Sequence, residues 1–167
     1  MSYEKISTTK EASPFVRSGW INFLDDQELT HGLTFQWNKA MSQVAALSDI
    51  KHFHGMIDRR LLGPRYLQKP DRSFAVFIFE GDENRNLHCH SLWRISPERK
   101  AQFEGLVSQS QDRHSLWKQI APAGSCVLRI NGPLNGDGIA AAIYLTKEIE
   151  MRSTDRIVFS NTFLPSH

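Results

Sequence analysis

A pair of histidines separated by one residue, His88-Cys89-His90, is the first feature of the sequence that could bind a metal or take part in a reaction. Side chains two residues apart in a β-strand point to the same face, so both imidazoles project together while Cys89 and Leu87 face the core. Glu80 precedes this pair, and a hairpin with an even register brings it to the same face beside His88. The three side chains predict a metal site with open positions for water or substrate. A solvated strand beside a hairpin acid is the alternative.

A tyrosine and a lysine form a second candidate group, in the segment 139–151. If this segment is a helix, Tyr144 and Lys147 lie one turn apart on the face opposite its packing stripe. The neighbouring Ala140 and Ala141 leave room for a bulky group, such as a backbone phosphate, to approach the phenol. The spacing therefore places a phenol beside an ammonium group, although an ordinary surface pair has the same spacing.

Together these residues resemble the HUH endonucleases, and among them the rolling-circle replication initiators with one nucleophilic tyrosine. The family's pair of histidines is similar to the segment 88–90, where cysteine replaces the usual hydrophobic residue in the middle. Its motif of a tyrosine followed three residues later by lysine is similar to residues 144–147. A third motif, a short strand with a threonine, is loosely matched by residues 33–38. The order of the three motifs also agrees.

The resemblance implies a five-stranded antiparallel sheet, a bound Mn²⁺ or Mg²⁺, and cleavage of single-stranded DNA through a 5′-phosphotyrosine. Glu80, His88 and His90 would bind the ion, with Tyr144 as the nucleophile and Lys147 holding the phosphate or stabilising the phenolate. Two imidazoles and a carboxylate suit Mn²⁺ better than Mg²⁺, which prefers oxygen ligands. The implied substrate is an origin or hairpin of a plasmid or virus. A separate helicase and polymerase are the implied partners, since the chain has no room for a helicase domain.

A basic segment extends from Lys51 to Arg72 and carries a local charge of +4, against +2 for the whole chain. Basic side chains that neutralise phosphates release counterions, so the segment predicts contacts with a DNA backbone. A solvated helix face has the same composition. The residues expected to contact DNA are Thr34, Gln36, Arg59, Arg60, Arg65 and Lys69.

The remaining histidines give weaker signals. A second pair, His52-Phe53-His54, lies in a segment with a helical pattern, where positions two apart diverge by about 200° and do not converge on one ion. We expect His52 and His54 to lie at the surface or to contact DNA. His31 and His114 have no partner at ligand spacing and are expected to be ordinary surface histidines.

The elements that position these residues follow from hydrophobic periodicity. Leu33, Phe35 and Trp37 alternate with polar residues, which predicts a strand with these three side chains inward. Further strands are predicted at 74–80, 87–95, 127–130 and 156–163, and helices over 39–62, from 97 towards 119, and over 139–151. This order favours an α+β fold, an antiparallel sheet of about five strands flanked by helices, with an RRM-like βαββαβ core.

Composition limits the class of protein. With 167 residues, 40% of them hydrophobic, the chain is expected to form one domain over residues 14–167 after a flexible segment 1–13. No apolar run approaches the ~20 residues of a membrane-spanning helix, and no signal segment opens the chain. The two cysteines exclude a disulfide scaffold. We expect a soluble protein with no membrane partner, in the cytoplasm of a prokaryotic host, or in the host nucleus if it comes from a eukaryotic virus.

Three other functions stay open. Small HUH transposases or relaxases share the chemistry, but such transposases typically have glutamine four residues after the tyrosine, where this chain has Glu148. A non-catalytic RRM-type module would stack bases on aromatic side chains of its central strands, whereas the candidate face presents Glu80, His88 and His90. Non-haem iron oxygenases also use two histidines and a carboxylate, but they would leave the tyrosine and the lysine without a role.

Overall fold

The computed structural model describes residues 14–81, 87–108, 115–131 and 156–163. Its strands are β1 (His31–Gln36), β2 (Phe74–Glu80), β3 (His88–Arg94), β4 (Ser125–Asn131) and β5 (Ile157–Phe159). Its helices are α1 (Pro14–Asp25), α2 (Gln43–Leu62), α3 (Lys100–Ser108) and α4 (Leu116–Ile120). Short 3-10 segments lie at Tyr66–Gln68, Pro97–Arg99 and Ser160–Phe163.

The strands form one sheet in the order β4-β1-β3-β2-β5, and all neighbouring strands are antiparallel. From β1 to β4 the chain follows the pattern βαββαβ of a split βαβ unit, in which β1 and β3 are the central strands. The fifth strand pairs with the outer side of β2. The predicted α+β fold with a five-stranded antiparallel sheet flanked by helices is therefore confirmed.

Helix α2 covers one face of this sheet. It begins after Ser42, whose hydroxyl accepts a hydrogen bond from the Ala45 N–H at 3.2 Å, and it ends at Gly63. Gly63 has φ = 85°, a conformation that strains residues with a Cβ. The buried side chains of α2 pack against the side chains that β1, β2 and β3 send to this face. This main core includes Leu33, Phe35, Trp37, Ile50, Phe53, Ile57, Phe77, Phe79, Cys89 and Trp93, which confirms the predicted inward positions of β1.

The opposite face of the sheet carries a smaller apolar cluster. Leu24 of α1 and Leu29 pack against Val76 and Ile78 of β2 and against Leu92 of β3. Because side chains alternate along a strand, the last residue of β2 and the first of β3 lie on this same face, beyond the cluster.

Two histidines predicted at the surface are buried, so those predictions were wrong. His54 lies one helical turn from both Ile50 and Ile57, on the stripe of α2 that faces the sheet. It is 1% exposed, and its ring lies 5.2 Å from that of Trp93. His31 is fully buried, and its Nε2 lies 3.2 Å from Glu104 of α3. His52 is exposed, as predicted.

Some predicted elements differ in length or lie outside the described residues. The last strand spans Ile157–Phe159, because the chain then turns into a 3-10 helix whose Ser160 hydroxyl accepts a hydrogen bond from the Ala75 N–H at 2.9 Å. The segment 1–13 and the predicted helix over 139–151 are not among the described residues. In the described part of the chain, no helix combines the length and apolar character needed to cross a membrane.

Candidate metal centre

The strand register brings the three predicted ligands together. Glu80 at the end of β2 pairs with His88 at the start of β3, so the predicted even register is confirmed. His90 shares its face of the sheet with His88, while Cys89 is fully buried in the main core on the other side. The three ligands therefore come from two adjacent strands joined by the segment 81–87.

The distances within this group suit a single ion. His88 Nε2 lies 3.0 Å from Glu80 Oε2, and His90 Nε2 lies 3.6 Å from Glu80 Oε1. One donor atom from each residue lies within 4.8 Å of the others. Ligands bound at about 2.1 Å to an octahedral ion are about 3.0 Å apart when adjacent and about 4.2 Å apart when opposite. The group can therefore hold a metal ion with a small contraction.

The polar atoms of the group also fit a metal. Glu80 Oε1 is buried and has no hydrogen-bond partner among the described residues, an arrangement that costs about 1–3 kcal/mol unless another group satisfies the oxygen. A bound cation would satisfy it. The Glu80 side chain is 9% exposed, whereas those of His88 and His90 are 28% and 19% exposed. The carboxylate thus forms the floor of the group, and the imidazoles lie between it and solvent.

A threonine of β1 orients one of the two imidazoles. Thr34 pairs with His90 in the register, and its Oγ1 lies 3.0 Å from His90 Nδ1. When Nδ1–H donates to this oxygen, Nε2 carries a lone pair and no proton, which is the tautomer that a metal requires. Thr34 was predicted as a DNA contact, and the structure places it within the metal centre. Strand alternation contains the signal for this position, because it puts Thr34 on the face opposite Leu33 and Phe35.

The carboxylate of Glu80 is ionised at neutral pH. Burial raises the pKa of this group, but the His88 imidazole at 3.0 Å and the His90 imidazole at 3.6 Å outweigh burial and lower the pKa to about 2. A metal ion therefore meets a carboxylate that does not need to lose a proton before it binds.

Gln36 is the other β1 residue predicted to contact DNA. It lies at the exposed end of β1, opposite His88 in the register, and its side-chain oxygen accepts a hydrogen bond from Ser125 of β4 at 3.3 Å. The structure thus places Gln36 at the edge of the metal centre.

The structure does not bring the basic residues to this centre. Arg59 and Arg60 are exposed on the last turn of α2, and Arg65 and Lys69 are exposed in the segment that follows. Asp58 in the same turn of α2 accepts a hydrogen bond from the Ser73 N–H at 3.1 Å, just before β2 begins. Glu80 at the far end of β2 is roughly 23 Å away, at about 3.3 Å per residue. Helix α2 also lies on the sheet face opposite the ligands.

Both acids of the basic segment form ion pairs within the fold. Arg72 Nε donates to Asp58 at 2.8 Å, and Arg99 pairs with Asp71 at 2.6 Å. The exposed cations of the basic segment are Lys51, Arg59, Arg60, Arg65 and Lys69. The predicted nucleophile Tyr144 and its neighbour Lys147 lie outside the described residues, as does His114.

A cation held by two imidazoles and one carboxylate keeps coordination positions for water or for a substrate oxygen, and it can act there as a Lewis acid. No family model, curated protein or solved structure matches this chain. The identity of the site therefore depends on the geometry of Glu80, His88 and His90, and on the sequence motifs.

Proposed function

We propose that the protein is a metal-dependent endonuclease that cuts and rejoins single-stranded DNA through Tyr144. The observation that carries this proposal is the convergence of Glu80, His88 and His90 on one face of a split βαβ sheet. A Mn²⁺ or Mg²⁺ ion held by these residues would polarise the scissile phosphate and offset the charge gained in the transition state. The two imidazoles favour Mn²⁺.

The described residues prepare this site without the ion. Glu80 supplies a carboxylate that is already ionised, and it draws both Nε2 atoms towards one point. Thr34 Oγ1 lies 3.0 Å from His90 Nδ1, where it can accept the Nδ1 proton and so favour the ligating tautomer. These contacts reduce the reorganisation needed when metal and substrate bind.

Tyr144 is the proposed nucleophile. Its Oη attacks the phosphorus, and a new P–O bond forms as the bond to the 3′ oxygen breaks. The phenolic proton passes to solvent, and the departing 3′ oxygen takes up a proton to become a free hydroxyl. The 5′ phosphate stays on the tyrosine, and attack by a 3′ hydroxyl reverses the step and rejoins DNA. Because an unperturbed tyrosine has a pKa of about 10, Lys147 would help by favouring the phenolate.

A non-catalytic single-strand-binding module is the main alternative, since the split βαβ sheet also suits that role. Such modules stack bases on aromatic side chains of the two central strands. Here the equivalent positions on β1 and β3 carry Thr34, His88 and His90. Within the nuclease class, Glu148 in place of glutamine favours replication initiation over transposition.

The test is covalent capture of DNA. A fluorescent pool of single-stranded oligonucleotides is incubated with the protein and Mn²⁺, and the products are separated on a denaturing gel. We expect an adduct that EDTA prevents, that mass spectrometry assigns to Tyr144, and that Tyr144→Phe abolishes while DNA affinity stays unchanged. Tyr66→Phe and Tyr3→Phe are matched controls that should keep activity.

Two results would contradict the proposal. Adduct formation in EDTA would remove the role of the metal centre. Cleavage by Tyr144→Phe without an adduct would mean that water is the nucleophile, and the protein would then be a hydrolytic nuclease.

A further inference from the structure

A cavity of about 360 Å³ lies at the end of the sheet opposite the metal centre. It opens between the last turn of α2, the start of β2 and the end of β3. Ser73 and Ile95 mark these strand ends, and the length of β2, roughly 23 Å, separates the cavity from Glu80. The volume is within the range of pockets that bind small molecules.

Three arginine side chains from different segments line this cavity, and two of them are held in place by carboxylates. Arg72 Nε donates to Asp58 at 2.8 Å. Arg99 donates through Nη2 to Asp71 at 2.6 Å and through Nη1 to the Ser96 hydroxyl at 3.3 Å. Their guanidinium groups are therefore oriented before any ligand arrives, which lowers the entropy cost of binding.

The third arginine, Arg94, carries a charge that no carboxylate in the described part of the chain pairs with. Its guanidinium lies 5.3 Å from the centre of the Phe74 ring, and this contact fixes its position without neutralising it. Arg72 also keeps free donors, because its bond to Asp58 uses Nε alone and leaves both terminal nitrogens available within the part of the chain that the structure describes. Two sets of N–H donors can therefore meet an incoming anion.

The acids of the cavity limit the charge of that anion. Asp58 is fully buried, and it already accepts bonds from Arg72 and from the Ser73 N–H and hydroxyl, the last at 2.6 Å. Asp71 and Glu28 add two more negative charges to the lining. Three arginines thus face three acids, so a ligand with a single negative charge fits better than a polyanion such as a nucleic-acid backbone.

Apolar side chains form the rest of the wall. They are Leu61, Leu62, Pro70, Ile95 and Pro97. The apolar part of a compact ligand would bury surface against them while its polar end reaches the arginines. In small-molecule pockets, apolar walls usually bury the ligand and a few polar groups fix its orientation.

From these observations we propose that the cavity is a second ligand site, for a small molecule that carries one oxyanion on a compact apolar body. The oxyanion is a carboxylate or a phosphate diester, and it lies against Arg94 and the terminal nitrogens of Arg72. This site is independent of the proposed nuclease activity, because it shares no residue with the metal centre.

The test uses the full-length ¹⁵N-labelled protein in EDTA, titrated separately with benzoate, methyl phenyl phosphate and the neutral amide benzamide. We expect at least one anion to shift the amide signals of Ser73, Ile95 and Ser96 saturably, and to bind at least tenfold more tightly than benzamide. The anion that binds more tightly shows whether the site prefers a carboxylate or a phosphate diester. Arg94→Gln should weaken anion binding at least fivefold, while Arg59→Gln, an exposed arginine outside the cavity, should leave it unchanged.

Three results would overturn the proposal. They are the absence of saturable shifts with both anions, binding of neither anion more tightly than benzamide, and unchanged anion affinity in Arg94→Gln. Arg94 is exposed, so we expect the Arg94→Gln variant to fold. Its amide spectrum checks this directly.

Discussion

Replacing Thr34 with valine removes one hydroxyl from the metal centre and keeps the shape of the side chain. Thr34 Oγ1 lies 3.0 Å from His90 Nδ1, and the threonine is 8% exposed. Water has little access to the position that the hydroxyl leaves, so the imidazole loses its orienting partner. We expect Thr34→Val to bind Mn²⁺ more weakly than the wild-type protein.

The magnitude follows from the role of the hydroxyl. Loss of a partner that orients a metal-binding histidine costs about 10–100-fold in metal affinity. This range corresponds to about 1.4–2.8 kcal/mol of binding free energy. The effect should be smaller than that of Glu80→Gln, which removes the anionic ligand that faces both histidines.

The assay is isothermal titration of Mn²⁺ into each variant, with urea unfolding as a check on the fold. Thr162→Val is a matched control, because it makes the same chemical change at an exposed threonine whose hydroxyl donates to the Phe159 carbonyl at 2.7 Å. This control should bind Mn²⁺ like the wild type.

The reasoning is refuted if Thr34→Val binds Mn²⁺ with wild-type affinity while Glu80→Gln does not, since the threonine would then not orient His90. If both variants bind like the wild type, the assignment of the metal centre itself is wrong.

Two further predictions concern the basic segment and a buried histidine. Replacing Arg59 and Arg60 with glutamate should weaken binding of single-stranded DNA across sequences. It should also reduce the slope of log affinity against log salt concentration by about 0.7 for each lost phosphate contact, which filter binding at several salt concentrations measures. An unchanged slope would mean that the two arginines are solvated surface residues. Burial of His54 lowers its pKa to about 4, so between pH 6.5 and pH 4 this histidine is protonated in the unfolded chain and neutral in the folded chain. Stability should therefore fall as pH drops from 6.5 to 4, by at most about 3 kcal/mol, and urea midpoints should show a shallower fall in His54→Gln.

The convergence of Glu80, His88 and His90 is the part of the structure that the sequence predicts best, because it depends on local geometry. Alternation along a strand puts His88 and His90 on one face, and the even spacing across a hairpin puts Glu80 opposite His88. The same alternation identifies the inward side chains of β1. These relations need no knowledge of how distant elements pack.

The errors occur where burial depends on distant partners. His54 occupies a position on α2 that the sheet covers, and Ser73 and Trp93 from other elements surround it. Periodicity places it on the buried stripe, but its polar type favoured a surface position. Nor does the sequence show that Arg72 of the basic segment pairs with the buried Asp58. Such pairings across the fold cannot be deduced from one sequence.

The short strand β5 has a consequence for self-association. It pairs with Val76, Phe77 and Ile78 of β2, and β2 is a run of six apolar residues followed by one acid. Uncovered, such a strand would present a flat apolar edge with unpaired N–H and C=O groups, the kind of edge that templates aggregation. The three residues of β5 are too few to form a good template themselves, and they shield the strand that carries Glu80. A substitution that only weakens the pairing of β5 with β2 would therefore lower the amount of soluble protein through aggregation, before it changed the activity of the molecules that remain folded.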